Sequence, residues 1–396
     1  MIYVDKTETN DKHVRVGWYV SHNYLDSNIS FISWFSIVLW SIVGKATTKW
    51  NRRGRQMDPE SVREVDRVPH GGADEHDVLD FSANVNPEHP EGLSHVYETA
   101  LYGARSYPAD DYSTYRVAAG EYLGCEPRDV VPTAGGLAAI RLVTEVSVES
   151  GDRALVPYPS FGEYAREVRL QGGEPEFVPY AELPNRDPEN YALAVVCNPN
   201  NPTGDAYADS ELRSFAERCR EAGTTLLVDE AYLGFTDRPS MAGEDGVVVT
   251  RSPGKLFGLP GIRVGCAVAT GELYDAIETA RPTWNLSTPA SDVATYCMRQ
   301  SSFVRRTRER IHHERARLAD ALSTEFDVYP SESPFLLFDV GGRDPTAVIE
   351  HAREQGVVVR DATTFRGLDN HVRIAVRRAE ENDQLLRALR VRDRRV

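Results

Sequence analysis

From Met57 onward the chain alternates short, nearly unbroken apolar runs with stretches of helical period, and no other feature narrows the fold as far. The clearest runs are "RALVPY" (153–158), "YALAVVCNP" (191–199), "TTLLVDEAY" (224–232), "GVVVTRS" (246–252) and "RVGCAVA" (263–269). A strand with one wet face shows apolar and polar residues in turn. Val, Leu and Ala at consecutive positions instead predict strands covered on both faces, as in a parallel sheet with helices on either side. "DSELRSFAERCREAG" supplies such a helix, with Asp209 or Ser210 to cap its start, Leu212, Phe215 and Ala216 at helical spacing, and Gly223 to end it. The expected fold class is therefore α/β, with a mostly parallel central sheet in a large domain at 104–285. Residues 57–103 would form an N-terminal arm and part of a smaller α+β domain. Residues 286–396 would complete it with an arginine-rich helical stretch and the runs "SPFLLFDV", "GVVVRDA" and "HVRIAVR".

The first 56 residues are unlike the rest. They hold four of the five lysines and a net charge of +4 on a chain of net −15. Their apolar run, Ile29–Val43, is interspersed with serines and spans 15 residues, whereas a membrane-spanning helix needs about 20. No small-residue cleavage site follows it. We read this segment as lying upstream of the folded protein, which Met57 would open, with a membrane-anchored form as the alternative. The acidic balance repels nucleic acid and anionic membranes, so no nucleic-acid partner is expected. An excess of Asp and Glu with Lys nearly absent resembles the surface of proteins from a high-salt cytoplasm. The five cysteines, odd in number and without a C-x-x-C pair, read as reduced thiols of a cytoplasmic protein rather than a disulfide frame or metal site.

One position escapes the depletion of lysine. From residue 50 to the C-terminus Lys255, in "RSPGKLFGLPGIR" (251–263), is the only lysine amid abundant arginine. A surface lysine exchanges readily for arginine. An amine that must lose its proton to form a Schiff base does not, because arginine stays protonated. "VDEAY" puts Asp229 and Tyr232 where a buried strand runs out, which is where ligands bind on such sheets. "CNPNNPTG" (197–204) holds Asn201 in a turn-rich loop after the preceding strand. "TAGGLAAI" (133–140) is a small-residue turn opening a helix; N–H groups at Gly135, Gly136 and Leu137 can hold an anion there, with Ser252 and Arg263 adding a hydroxyl and a fixed cation. Singly, these are a solvated strand end and ordinary turns, and Phe161 in "YPSFGEY" is core packing. Together, an amine, a carboxylate, an anion cup and an aromatic face match the needs of pyridoxal 5'-phosphate. Asp229 would keep the pyridine nitrogen protonated and Phe161 would stack on the ring.

The ordered set "YPSF", "NPNNPTG", "VDEAYLGF", "RSPGKLFGLPGIRVG" and "VRIAVR", covering about residue 66 to the end, resembles the class I/II aminotransferase family of fold-type I pyridoxal-phosphate enzymes. The resemblance implies that Lys255 is the Schiff-base lysine and proton shuttle, that Asp229 pairs with the pyridine nitrogen, and that Asn201 and Tyr232 hydrogen-bond the ring oxygen. It further implies Arg373 as the clamp for a substrate carboxylate, and a homodimer in which Tyr107 reaches the cofactor phosphate of the neighbouring subunit. The sequence departs from its relatives in one place: they carry Ser or Thr immediately before the lysine, where this chain has Gly254, so Ser252 carries more of the phosphate binding.

Two branches of the family are closest in pattern, the histidinol-phosphate aminotransferases and the L-threonine-O-3-phosphate decarboxylases of cobalamin biosynthesis. "HGG" (70–72), "LDFSANVNP" (79–87) and "IAVRRAEENDQLLRAL" (374–389) resemble the decarboxylases. The expected function is thus decarboxylation of L-threonine O-3-phosphate to (R)-1-aminopropan-2-yl phosphate, with amino transfer from histidinol phosphate to 2-oxoglutarate, or another class I/II aminotransferase activity, as the alternative. Either way the partner is a small phosphorylated, amino-acid-like substrate. His70, Asn86 and Arg360 then become candidates to hold its phosphate or carboxylate, against plainer readings as a surface histidine, a turn asparagine and a strand-end arginine.

Overall fold

The structure, a computed structural model, describes residues 57–73 and 77–391; the apolar run at 29–43 and the reading of 1–56 lie outside the described residues. In chain order the strands are β1 (Leu79–Asp80), β2 (Val130–Thr133), β3 (Arg153–Tyr158), β4 (Glu174–Pro179), β5 (Leu193–Cys197), β6 (Thr225–Asp229), β7 (Val247–Arg251), β8 (Gly265–Val268), β9 (Asp327–Val328), β10 (Phe335–Asp339), β11 (Val357–Val358), β12 (Arg360–Asp361) and β13 (His371–Ala375). Seven of them form the central sheet in the order β2-β8-β7-β6-β5-β3-β4. Only β8 runs against its neighbours β2 and β7; the other pairings are parallel.

The five apolar runs become β3, β5, β6, β7 and β8, and their lack of alternation has the expected cause. Leu226 and Val228 of β6 pack on one face with Phe215 and Cys219 of the helix Asp209–Ala222. Leu227 between them packs on the other face with Ile140 and Ile277, from the helices Gly136–Ser147 and Gly271–Ala280. Two further strands, "VVPT" of β2 and "EPEFVP" of β4, contain proline and were not legible as strands. Both lie at the sheet's edges, where a missing N–H costs no ladder bond, and Pro157 of the interior strand β3 stands beyond Ala154 and Leu155, the two residues that pair with β5. The helix Asp209–Ala222 does end at Gly223, with φ +73, but neither Asp209 nor Ser210 caps it. Ala208 holds that position without a side-chain bond, and Asp209 sits in the first turn, where its charge faces the positive end of the helix.

Beyond the helix Ser301–Leu322, an antiparallel sheet of order β12-β13-β10-β9 follows. "GVVVRDA" is not one strand. Val357–Val358 pairs in parallel with β1, and the chain then crosses so that Arg360–Asp361 pairs with β13. All five cysteines are free thiols, four buried and Cys125 partly so. Among the described residues no helix is long and apolar enough to cross a membrane.

Candidate active site

The topology delivers the candidate residues to one edge. With β2, β3, β5, β6 and β7 all pointing the same way, the loops after their carboxyl ends carry Gly135–Leu137, Phe161, Asn201, Asp229 with Tyr232, and Ser252 with Lys255. Antiparallel β8 begins at that same edge and brings Arg263 just before it. The result is a cavity of about 910 Å³ lined by Lys255, Asp229, Asn201, Tyr232, Phe161, Ser252, Arg263, Arg360, Arg373 and His70, among others.

Lys255 lies in a single helical turn, Pro253–Leu256, opened by proline. Burial, then the positive charges of Arg373 and Arg263, bring its pKa down to about 8, against the opposing pull of Asp229. A free amine is thus accessible near neutral pH. Gly254 is needed for the loop's path: a Cβ there would stand 2.8 Å from the carbonyl oxygen of Leu259, whose N–H donates to Gly254 O at 2.8 Å. The departure from the family's Ser or Thr is therefore a close backbone approach.

Asp229 is buried at the last position of β6. Burial raises its pKa, while three donors hold its charge: the Tyr164 hydroxyl at 2.6 Å, the Ala231 N–H at 3.1 Å and the Thr250 hydroxyl at 3.3 Å. Tyr164 is a functional candidate that the sequence reading passed over, although it stands three residues from Phe161 in the same quoted stretch. The rings of Phe161 and Tyr164 meet edge to face at 5.5 Å.

The anion cup needs one correction. Gly135, at φ +99, turns its own N–H back to the Thr133 carbonyl at 2.8 Å, so that donor is spent inside the turn. Gly136 and Leu137 open the helix Gly136–Ser147, and first-turn N–H groups have no partner within a helix. The other parts crowd against them. A Cβ on Gly136 would lie 2.1 Å from Ser252 Oγ, and one on Gly135 would lie 2.6 Å from the Arg263 guanidinium. Arg263 holds a left-handed backbone at φ 58, ψ 60, which costs a non-glycine residue of order 1 kcal/mol and is found where a side chain must be aimed. Helix start, hydroxyl and cation thus make a cradle of the size and charge of a phosphate, and with Lys255 and Asp229 in the same cavity the residues present fit pyridoxal phosphate.

Arg373 is buried; its guanidinium donates to Asn201 Oδ1 and, at 2.9 Å, to the Ser82 carbonyl. The bond to Asn201 leaves the Asn201 amide nitrogen as its remaining donor. Tyr232, its pKa pushed up to about 12 chiefly by burial, stays a protonated phenol, and Asn84 Nδ2 donates to its oxygen at 3.4 Å. Arg360 is the direct cross-strand partner of Arg373 in the β12–β13 register. It is also buried, and donates to the Pro69 carbonyl at 2.8 Å and the Thr364 hydroxyl at 2.9 Å. Both guanidinium groups lie over Phe365, at 5.4 and 5.7 Å from its centroid. Neither is paired with a carboxylate among the described residues.

The remaining candidates divide. His70 lines the cavity, its ring 5.6 Å from that of Phe161 and its Nε2 2.9 Å from Glu163 Oε1. Asn86 does not line it: its Nδ2 donates to the Leu256 carbonyl at 2.7 Å, its Oδ1 accepts from Arg310, and its N–H donates to the Lys255 carbonyl at 3.0 Å. Its Nδ2 and N–H tie down the Lys255 loop, its Oδ1 is taken by Arg310 and the Glu88 N–H, and Asn84 is the asparagine of "SANVNP" that reaches the cavity. Tyr107 is also outside it, 77% exposed and stacked on Trp284 at 4.2 Å.

The chain is similar to known proteins. Residues 77–389 match the family described as Aminotransferase class I and II. The chain is 33% identical over 326 residues to histidinol-phosphate aminotransferase 2 of Archaeoglobus fulgidus, covering 79% of this chain and 93% of the relative. The fold is that of L-threonine-O-3-phosphate decarboxylase from Porphyromonas gingivalis (TM-score 0.73, 24% identity, 79% of this chain and 98% of the other). It is also that of histidinol-phosphate aminotransferase from Sinorhizobium meliloti in complex with pyridoxal-5'-phosphate (TM-score 0.70, 21% identity, 84% and 94%). The chain belongs to the class I and II aminotransferase family and is an enzyme that uses pyridoxal phosphate.

Proposed function

We propose that this enzyme decarboxylates L-threonine O-3-phosphate to (R)-1-aminopropan-2-yl phosphate. The observation that carries the reading is the register pair Arg360–Arg373. Like charges directly opposite on neighbouring strands destabilise a sheet, and these two are buried besides. Burial first, and then Arg360, bring the pKa of Arg373 down to about 10, while nearby Tyr232 and Asp80 oppose the shift. A substrate with a carboxylate and a phosphate on adjacent carbons offers one anion to each cation. The "HGG" segment supports the same branch of the family. Gly71 packs so closely on Ser82 that a Cβ would meet its carbonyl oxygen at 2.3 Å, Gly72 N–H donates to Ser82 Oγ at 2.8 Å, and the preceding Pro69 accepts from Arg360. The segment therefore closes the cavity beside the arginine pair.

When bound, pyridoxal phosphate supplies an electron sink for the bond broken at the substrate's α-carbon. Gly136, Leu137, Ser252 and Arg263 would hold its phosphate, Asp229 its pyridine nitrogen, and Asn201 and Tyr232 its ring oxygen. Arg373 orients the carboxylate while Arg360 takes the phosphate, and orientation decides whether CO2 or the α-proton leaves. As the carbon–carbon bond breaks and CO2 departs, Lys255 delivers the proton that the α-carbon takes up. The reading carries with it a cytoplasmic homodimer in which the exposed Tyr107 faces the neighbouring subunit.

The test is to incubate the purified protein with pyridoxal phosphate and L-threonine O-3-phosphate and assay CO2 and aminopropanol phosphate. No CO2, together with transfer of the amino group from histidinol phosphate to 2-oxoglutarate, overturns the reading.

A further inference from the structure

The cavity does not end at the arginine pair. Its lining also takes in Ser61, residues 64–69, Arg166 and Arg169 of the helix Glu163–Leu170, Phe177 of β4 and Arg366; Arg169 and Arg366 are exposed, so this part of the lining is its outer rim. Two guanidinium groups converge there on one aromatic ring: the Arg169 carbon lies 5.7 Å and the Arg366 carbon 3.9 Å from the Phe177 centroid. Neither is paired with a carboxylate among the described residues, although Glu64 and Asp66 line the same rim. Arg166, one turn away on the same helix, shows the ordinary arrangement, bonded to Glu163 and Glu167 at 3.3 and 3.4 Å. Burial and then the charge of Arg366 lower the pKa of Arg169, so the two cations feel one another.

Their position separates them from the reacting end. Phe177 stands on the edge strand β4, three strands from β6 and Asp229. At about 4.8 Å per strand Phe177 lies roughly 14 Å from Asp229 across the sheet, and the two pairs are held on different rings, Arg360 and Arg373 over Phe365, Arg169 and Arg366 over Phe177. Unneutralised arginine at a cavity mouth also matters for a chain of net charge −15, which otherwise repels a phosphorylated ligand.

We propose that Arg169 and Arg366, braced on Phe177, form an outer oxyanion subsite that takes a phosphate-class anion at the cavity mouth, separate from the Arg360–Arg373 pair. Guanidinium forks match phosphate oxygens, and one dianion neutralises both cations. The anion is either the substrate's own phosphate during entry or free phosphate seated beside a bound substrate. The subsite rests on the shape of the cavity and not on which reaction occurs inside it.

Inorganic phosphate is titrated calorimetrically at constant ionic strength into the holoenzyme, into R169Q/R366Q, and into R128Q/R387Q, which loses the same charge elsewhere on the surface. The expected result is binding weakened about tenfold or more in R169Q/R366Q alone. Equal binding in all three, or an equal loss in both double variants, overturns the subsite. Steady-state kinetics with the accepted phosphorylated substrate then separate the sources. A KM raised severalfold in R169Q/R366Q at unchanged kcat marks capture on entry. A kcat that responds to added phosphate in the wild type but not in R169Q/R366Q marks a resident anion. Because the titration needs no turnover, failure of the decarboxylase reading leaves it standing as an independent test.

Discussion

Replacing Arg373 by methionine separates a binding group from a structural tie. If the guanidinium is built for a substrate anion, the ligand-free protein bears a strained cation, and removing it should not destabilise the fold. Its pKa falls from 12.5 to about 10, and each unit corresponds to about 1.36 kcal/mol, so the buried charge costs the native state about 3 kcal/mol at neutral pH. Against that relief, the substitution leaves two acceptors without this donor, Asn201 Oδ1 and the Ser82 carbonyl, at about 1 kcal/mol each, the low end for a lost partner because both residues line the cavity and water can reach them. It also loses the contacts of the cation with Phe335 and Phe365, worth about 0.5–1 kcal/mol each. The terms nearly cancel. With about 2–4 °C of Tm per kcal/mol in a domain of some 200 residues, and less in a larger one, R373M should melt within about 4 °C of the wild type. Activity should respond very differently, because truncating one partner of a hydrogen-bonded charge pair costs about 2–5 kcal/mol, a fall of about 30- to several-thousand-fold in kcat/KM. Scanning calorimetry of the ligand-free protein and steady-state kinetics read the two quantities. A Tm lowered by more than about 6 °C with kcat/KM reduced less than tenfold would refute the reasoning and make Arg373 a structural residue.

Tyr164→Phe removes the shortest donor to Asp229. A hydrogen bond to a charged group is worth about 1.5–3 kcal/mol, so the carboxyl pKa should rise by about one to two units and cofactor affinity should fall about tenfold or more. A pyridoxal phosphate titration followed by absorbance checks this, and wild-type affinity would show that Tyr164 does not tune Asp229. The lowered pKa of Lys255, from 10.5 to about 8, sets a pH profile. Capture of pyridoxal phosphate by the cofactor-free protein should quicken as pH rises through about 8 and then level off, since the neutral amine attacks. In the same protein the unfolded lysine holds its proton longer than the folded one, so stability should gain from this group between about pH 8 and 10.5. A capture rate flat across pH 7–9 would contradict the assignment. Restoring the family's serine in Gly254→Ser should weaken cofactor binding and cost about 1–3 kcal/mol of stability, because its Cβ meets the Leu259 carbonyl oxygen; tighter binding in an equilibrium titration would show that the backbone yields.

The amino-acid order by itself determined the class of fold and the chemistry of the reacting centre, and the reason lies in local signals. Unbroken runs of Val, Leu and Ala need cover on both faces wherever they sit, so β3, β5, β6, β7 and β8 were legible one by one. A lysine spared where arginine replaces all others marks its chemistry without reference to neighbours. What only the tertiary structure decided depends on pairings distant in the chain. The strands β2 and β4 tolerate proline because they fall at the sheet's edges, which no local pattern reveals. Asn86 looked like a ligand in its turn, yet its groups are used up by Leu256, Arg310 and Lys255, more than 150 residues away. Tyr164 became a partner of Asp229 only when the first turn of the helix Glu163–Leu170 came to lie beside the end of β6. Gly135, Gly136 and Gly254 look alike as turn glycines, but one spends its N–H within the turn, one opens a helix tight against Ser252 and one clears a carbonyl oxygen. The register that sets Arg360 opposite Arg373 was likewise invisible in sequence, because a pairing between strands is a property of the folded sheet.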